Sequence, residues 1–239
     1  PEPTPDTGPP APTPVAELFA MKAVSAILQR NPVVGRGEAQ VVTTQYMLVD
    51  SERLEEDFSW TETLCSISTS EARWNALVRA RTSYPEAFVT HFPVQDRQAI
   101  WTEGGDFNAN NLTSVVGASL ANPLTDPLPT EAGAAGEVDS DRDGNPGVTV
   151  DVAGAISGSV YVAQRSIINL RGRERNDRRI EGLWESSDEQ VVLGASNGIL
   201  NRAVENRRDP DAARSFFIMV PIDDDWDCSD INANIDDLF

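Results

Sequence analysis

From Val41 to Ile222 the chain presents one short run after another of Val, Ile, Thr, Tyr, Phe and Trp, each closed by Gly, Asn, Asp or Pro. Residues of the first kind favour a pleated, half-buried surface, and those of the second kind make turns. The runs are Val41 to Val49, Phe58 to Thr69 (with Trp60, Leu64 and Ile67), Ala87 to Val94, Ser114 to Leu120, Val148 to Ile156, Ser159 to Leu170, Ile180 to Trp184, Gln190 to Leu193 and Ser215 to Ile222. A helix is expected between Ser70 and Thr82, where Trp74, Leu77 and Val78 fall at helical spacing behind a capping Ser70. Residues 15–29 carry Leu18, Phe19, Val24, Ile27 and Leu28 at a spacing that fits helix and strand alike. Strands and helices do not alternate steadily. The expected fold is therefore mainly β: an antiparallel sandwich or barrel with one or two short helices and an extended proline-rich N-terminal arm.

At 239 residues and 40% hydrophobic content, the chain can bury one sizeable core. Residues 1–14 are dense in proline and read as an extended, polyproline-like arm or tether; 15–222 read as one β-rich domain with a subdivision expected near 121–136; 223–239 read as an acidic tail. The first residue is not Met, and a proline-rich spacer in this place looks like the tether of a mature bacterial lipoprotein; an ordinary linker reads the same way.

Asp139, Asp141 and Asp143 alternate along Asp139–Gly147, with Gly144 as the turn, ahead of the strand pattern Val148, Val150, Val152. Alternate side chains of a curled loop converge, and converging carboxylates suit a hard divalent cation, calcium first. Asn145 would add its backbone carbonyl and Gly147 a water, while Val150 stands where a bidentate Glu belongs and Asp151 comes one step late. The set resembles the EF-hand-like calcium loops of secreted bacterial proteins over about a dozen residues. That resemblance implies a calcium cofactor held by Asp139, Asp141, Asp143, Asn145 and Asp151, with affinity in the extracellular range of roughly 0.1 to 1 mM. An acidic surface turn without metal has the same sequence.

The cysteines are Cys65 and Cys228, 163 residues apart. In a secreted chain they pair as a structural disulfide, and in a reducing cytosol they remain separate thiols. Together with the loop and the arm, the pairing points to an extracytoplasmic address: periplasm, outer-membrane lipoprotein or cell surface. The net charge of −19 repels polyanions, so nucleic acid is excluded as a partner and a membrane is contacted only through a lipid anchor. No apolar run approaches the ~20 residues that span a bilayer as a helix.

Catalytic signals are sparse. Gly194, Ala195, Ser196, Asn197 and Gly198 form a GxSxG after an apolar run, in the strand–elbow–helix context of an α/β-hydrolase, with Ile199 to Asn206 potentially helical. That family's histidine follows its serine, whereas the only histidine here, His91, precedes it. A lone histidine without a cysteine cluster does not build a zinc or copper site unless carboxylates complete it. Arg171, Arg173, Arg175, Arg178 and Arg179, with Arg165 nearby, make a basic cluster, and Trp226 sits in the acidic tail. They offer an interaction surface for other protein subunits, or solvated loops with local ion pairs.

The function expected from the sequence is a non-catalytic, calcium-supported binding or scaffolding subunit of a cell-envelope or extracellular assembly. The alternatives are a lipocalin-like small-ligand binder, with a cavity lined by residues such as Trp60, Trp101 and Trp184, and a serine hydrolase built on Ser196.

Overall fold

The structure, a computed structural model, describes residues 13–30, 37–154, 156–202 and 204–239. The proline-rich arm up to residue 12 lies outside them. Twelve strands and three short helices follow in the order β1 (Val15–Arg30), β2 (Ala39–Leu54), β3 (Asp57–Thr69), β4 (Ala72–Arg73), β5 (Arg79–Ser83), α1 (Glu86–His91), β6 (Gln95–Trp101), β7 (Asp106–Val116), β8 (Val148–Gly154), β9 (Gly158–Glu174), β10 (Ile180–Ala195), β11 (Glu205–Arg208), β12 (Phe216–Pro221), α2 (Cys228–Ala233) and α3 (Ile235–Leu238).

Eight strands close an antiparallel barrel in the order β1, β2, β3, β6, β7, β9, β10, β12 and back to β1. Closure leaves these strands no open edge. β8 joins the upper part of β9 and carries β5 and then β4, while β11 pairs with the end of β1. The sheet therefore extends beyond the closed barrel, with β4, β5, β8 and β11 outside its eight strands.

Side chains alternate inward and outward along each strand. Phe58, Trp60, Glu62 and Leu64 of β3 point in, as do Arg97, Ala99 and Trp101 of β6. The lower half is solid with aromatic rings. Phe58 meets Trp101 edge-on at 5.3 Å and 85°, and Phe19, Trp60, Phe107 and Phe217 complete the cluster. Edge-to-face rings pack more favourably than their buried area alone implies. Trp101 closes this end. The guanidinium groups of Arg53, at 4.7 Å, and Arg178, at 5.4 Å, pack on its ring, and its indole N–H donates to Glu174 Oε2 at 3.0 Å.

The outer wall is largely polar, with Thr61, Gln98, Asn169, Arg171 and Glu185 in the outward register. The acidic C-terminal segment covers part of it. Ile231 of α2 is fully buried against Ala20 and Cys65, with Trp226 and Phe239 packed beside them. Asp227 and Asp230 build a reciprocal capping box at the start of α2. The Lys22 ammonium sits over the rings of Tyr46 and Phe239. Cys65 and Cys228 are bonded, tying α2 to β3.

Three local expectations are corrected. The helix predicted between Ser70 and Thr82 is a hairpin of β4 and β5, because the Asn75 side chain accepts from the N–H groups of Leu77 and Val78 and bends the chain. Leu77, counted toward a helical face, is 90% exposed. The strand predicted from Ala87 to Val94 is instead α1, bracketed by Pro85 and Pro93, with Phe88 turned inward. Of the stretch predicted as helical from Ile199 to Asn206, the described residues form no helix and lead into β11.

Candidate functional site: the lumen and the acidic loop

Above the aromatic plug the barrel is not filled. A cavity of about 290 Å³ occupies the upper lumen. Its floor is an ion pair that sequence reading did not single out: Glu62, 7% exposed, and Arg97, 5% exposed. Arg97 Nε and Nη2 donate to Glu62 Oε1 at 3.1 and 2.9 Å, and Nη1 donates to the Thr113 carbonyl at 2.8 Å. The Trp60 indole N–H reaches Glu62 Oε2 at 3.4 Å. A buried pair persists only when its remaining donors and acceptors are met, and here most are. A signal was present in the sequence. Both charges fall in phase with the apolar face of their strands, where a solvated residue does not belong.

The walls mix two chemistries. Val41, Met47, Leu64, Phe88, Phe92, Val162, Ile168 and Trp184 supply apolar surface, and Ser25, Thr43, Gln45, Ser114, Gln164 and Gln190 supply polar groups. Among the described residues, the side chains of Ser25, Gln45 and Gln190 have no hydrogen-bond partner in the chain, leaving donors and acceptors free toward the lumen. Asp188 is bound by the hydroxyls of Ser166, at 2.6 Å, and Ser186, at 2.9 Å. Burial, aided by the Asp188 charge, pushes the Tyr84 hydroxyl up to about 12, so it stays protonated as a donor. Of the tryptophans named as lining, Trp184 borders the cavity, while Trp60 and Trp101 belong to the packed half. Trp74, from the unpredicted hairpin, also lines it and anchors its indole N–H on the Gln29 carbonyl at 3.1 Å. Ile199, Leu200 and Arg202 reach it from the loop before β11.

The acidic loop lies on the outside of the same wall. Residues 117–147 fold back over β9 and β10 through buried Leu128, which packs with Ala163 and Leu193. Gly117 (φ +74°) and Gly147 (φ +77°) press against β9 so closely that a Cβ on either would stand 2.4 or 2.3 Å from the Val162 carbonyl oxygen. Only glycine fits both the space and the left-handed backbone. Asp139, Asp141 and Asp143 converge, with one carboxylate oxygen from each within 4.8 Å of the others. Asp141 is 1% exposed. One of its oxygens accepts from the Thr149 N–H at 2.7 Å, and the other, Oδ1, has no hydrogen-bond partner. Burial drives the Asp141 carboxyl up, and the neighbouring Asp143 and Asp139 carboxylates add to the rise. Against its own desolvation, Asp143 is held down by hydrogen bonds from Thr149 and Asn145. Asp151 stands apart from the cluster on β8 and accepts from Ser159. Asn145 meets the cluster through its N–H, which donates to Asp143 Oδ1 at 2.8 Å.

Arg171 reaches Glu185, Arg173 Asp106, Arg175 and Arg179 Glu181, and Arg178 Glu17, so each of the five arginines engages its own chain. Trp226 is packed under the C-terminal segment. Ser196 Oγ accepts from the Ser159 N–H at 2.7 Å, His91 Nδ1 lies 3.0 Å from the Ala87 carbonyl, and among the described residues no hydrogen bond joins Ser196 to His91. Among the described residues no helix is long and apolar enough to cross a membrane. The disulfide points to a non-cytoplasmic location. Comparison with family models, with curated proteins and with solved structures finds no match to this chain.

Proposed function

We propose that this chain is a non-catalytic binding protein that holds a small amphipathic molecule in the upper lumen of its barrel and works outside the cytoplasm. The observation that carries the reading is the cavity of about 290 Å³ whose wall presents unpartnered polar groups beside apolar side chains. Eight strands close a barrel just wide enough for side chains to fill it or for one small ligand, and here the lower half does the first. A dry apolar cavity of roughly 150 Å³ already holds benzene, so the lumen has room for a ligand larger than a single ring. The wall fits a molecule with an apolar body and hydrogen-bonding groups, since among the described residues Gln45, Gln190 and Ser25 bond to no other group of the chain and face the lumen. The chain is lipocalin-like in this architectural sense. In this reading the proline-rich segment tethers the barrel to a bacterial envelope, in the periplasm, on the outer membrane or at the cell surface.

Thr43 faces the cavity from β2, and Thr43→Trp puts a bulky ring into it and leaves Glu62 and Arg97 unchanged. Titration with the fluorophore 1-anilinonaphthalene-8-sulfonate is expected to show saturable binding to the native protein and at least ~10-fold weaker binding to the variant, about 1.4 kcal/mol. Equal binding by both removes the lumen as the site. Recovery of the protein with stoichiometric protein subunits and an empty lumen would favour the scaffolding role in an envelope or extracellular assembly instead.

A further inference from the structure

We propose that Asp139, Asp141 and Asp143 bind a calcium ion that clasps the acidic loop to the barrel wall. This stands independently of the ligand in the lumen. Three carboxylates gathered on a surface are by themselves ordinary, and what sets this group apart is Asp141. Its side chain is 1% exposed, yet Oδ1 accepts nothing from the protein, and one oxygen of this carboxylate lies within 4.8 Å of one from each of Asp139 and Asp143. A buried ionised oxygen with no partner is costly, and like charges around it raise the cost further. A cation among the three carboxylates satisfies both deficits, because it is a partner for Oδ1 and it neutralises the repulsion. Only oxygen atoms are on hand, which selects a hard ion. The loop supplies three carboxylates and leaves the rest of the shell to backbone oxygens and water, and this irregular, hydrated coordination suits calcium better than the strict octahedron of magnesium.

The consequence for the fold runs through Thr149. Its N–H holds Asp141 and its hydroxyl holds Asp143, so the cluster is bonded directly to the start of β8. Val150 and Val152 of that strand line the cavity. An ion in the cluster therefore braces the β8 wall of the lumen from outside.

The test uses the full chain, stripped with a chelator and titrated with calcium chloride alone while binding and thermal midpoint are followed. One ion is expected to bind with a dissociation constant of roughly 0.1 to 1 mM, and 5 mM calcium to raise the midpoint by about 3–5 °C. Asp141→Asn keeps the side chain's size and removes its charge. Its metal-free midpoint is expected to equal or exceed that of the metal-free native protein, which shows that it folds, while calcium no longer raises it. The proposal is overturned if the native protein binds no calcium at 10 mM, a concentration well above the expected dissociation constant. Retention of the calcium shift by Asp141→Asn, or equal protection by magnesium at the same concentration, overturns it as well.

Discussion

Glu62 and Arg97 show how much one inward position can carry. The pair separates the aromatic plug from the cavity, and removing one partner leaves the other charged, buried and unmet. Glu62→Gln is expected to lower stability by about 3 kcal/mol in urea unfolding, and pairing it with Arg97→Met to restore most of the loss. A single variant as stable as the native protein would show that the pair is solvated. Asp209 makes a different point. The Asp211 N–H and the Gln40 amide, with Arg214 beyond them, hold its carboxyl below the usual carboxylate range. A depressed acid stabilises the fold above its unfolded value, near ~3.9, and that stability is lost as pH falls through the folded value. Native protein should therefore lose thermal midpoint on acidification below that range more steeply than Asp209→Asn, which has no carboxyl to protonate. Parallel acid curves would contradict this. Neither Glu62 nor Asp209 stands out by motif, and only the phase of Glu62 with Phe58, Trp60 and Leu64 could have marked it from sequence.

At the level of elements, strands were legible and their ends less so. Residues 15–29 fitted two periods because Ala20, Ala23, Val24 and Ala26 are buried on both sides, inward by the lumen and outward by neighbouring chain, which erases alternation. The two runs on either side of Glu185 are one strand, β10, interrupted in appearance by Ser186, Ser187 and Asp188, two of which turn polar groups to the lumen. The β4–β5 hairpin read as a helix because Asn75 acts by a local hydrogen bond that spacing does not register. The convergence of Asp139, Asp141 and Asp143 was legible from alternation and Gly144; the withdrawal of Asp151 was not, since Ser159 claims it across the β8–β9 pair. The disulfide was legible from the cysteine count, but the helix it ties down was not. Replacing both Cys65 and Cys228 by serine is expected to cost about 2–5 kcal/mol, with amide exchange in α2 and α3 accelerated before that of the barrel. Uniform acceleration across barrel and helices would mean that the bond stabilises the whole fold rather than this clasp.

For the molecule as a whole, the barrel divides its interior between two tasks. The lower half is packed with rings, with Arg53 and Arg178 on Trp101 at its end. Above the Glu62–Arg97 floor the same strands hold a cavity, and the insertions β4–β5–α1, β8 and the loop before β11 form its rim. A packed interior leaves few voids larger than a water molecule, so a lumen of this size with free amides is a feature of the sequence's own making rather than of loose packing. The most direct test is native mass spectrometry of the protein recovered from the cells that make it, beside Thr43→Trp prepared the same way. A defined small-molecule mass is expected on the native protein, released on unfolding and absent from the variant. A native protein that carries no such mass, or a variant that carries the same one, would contradict binding in the lumen.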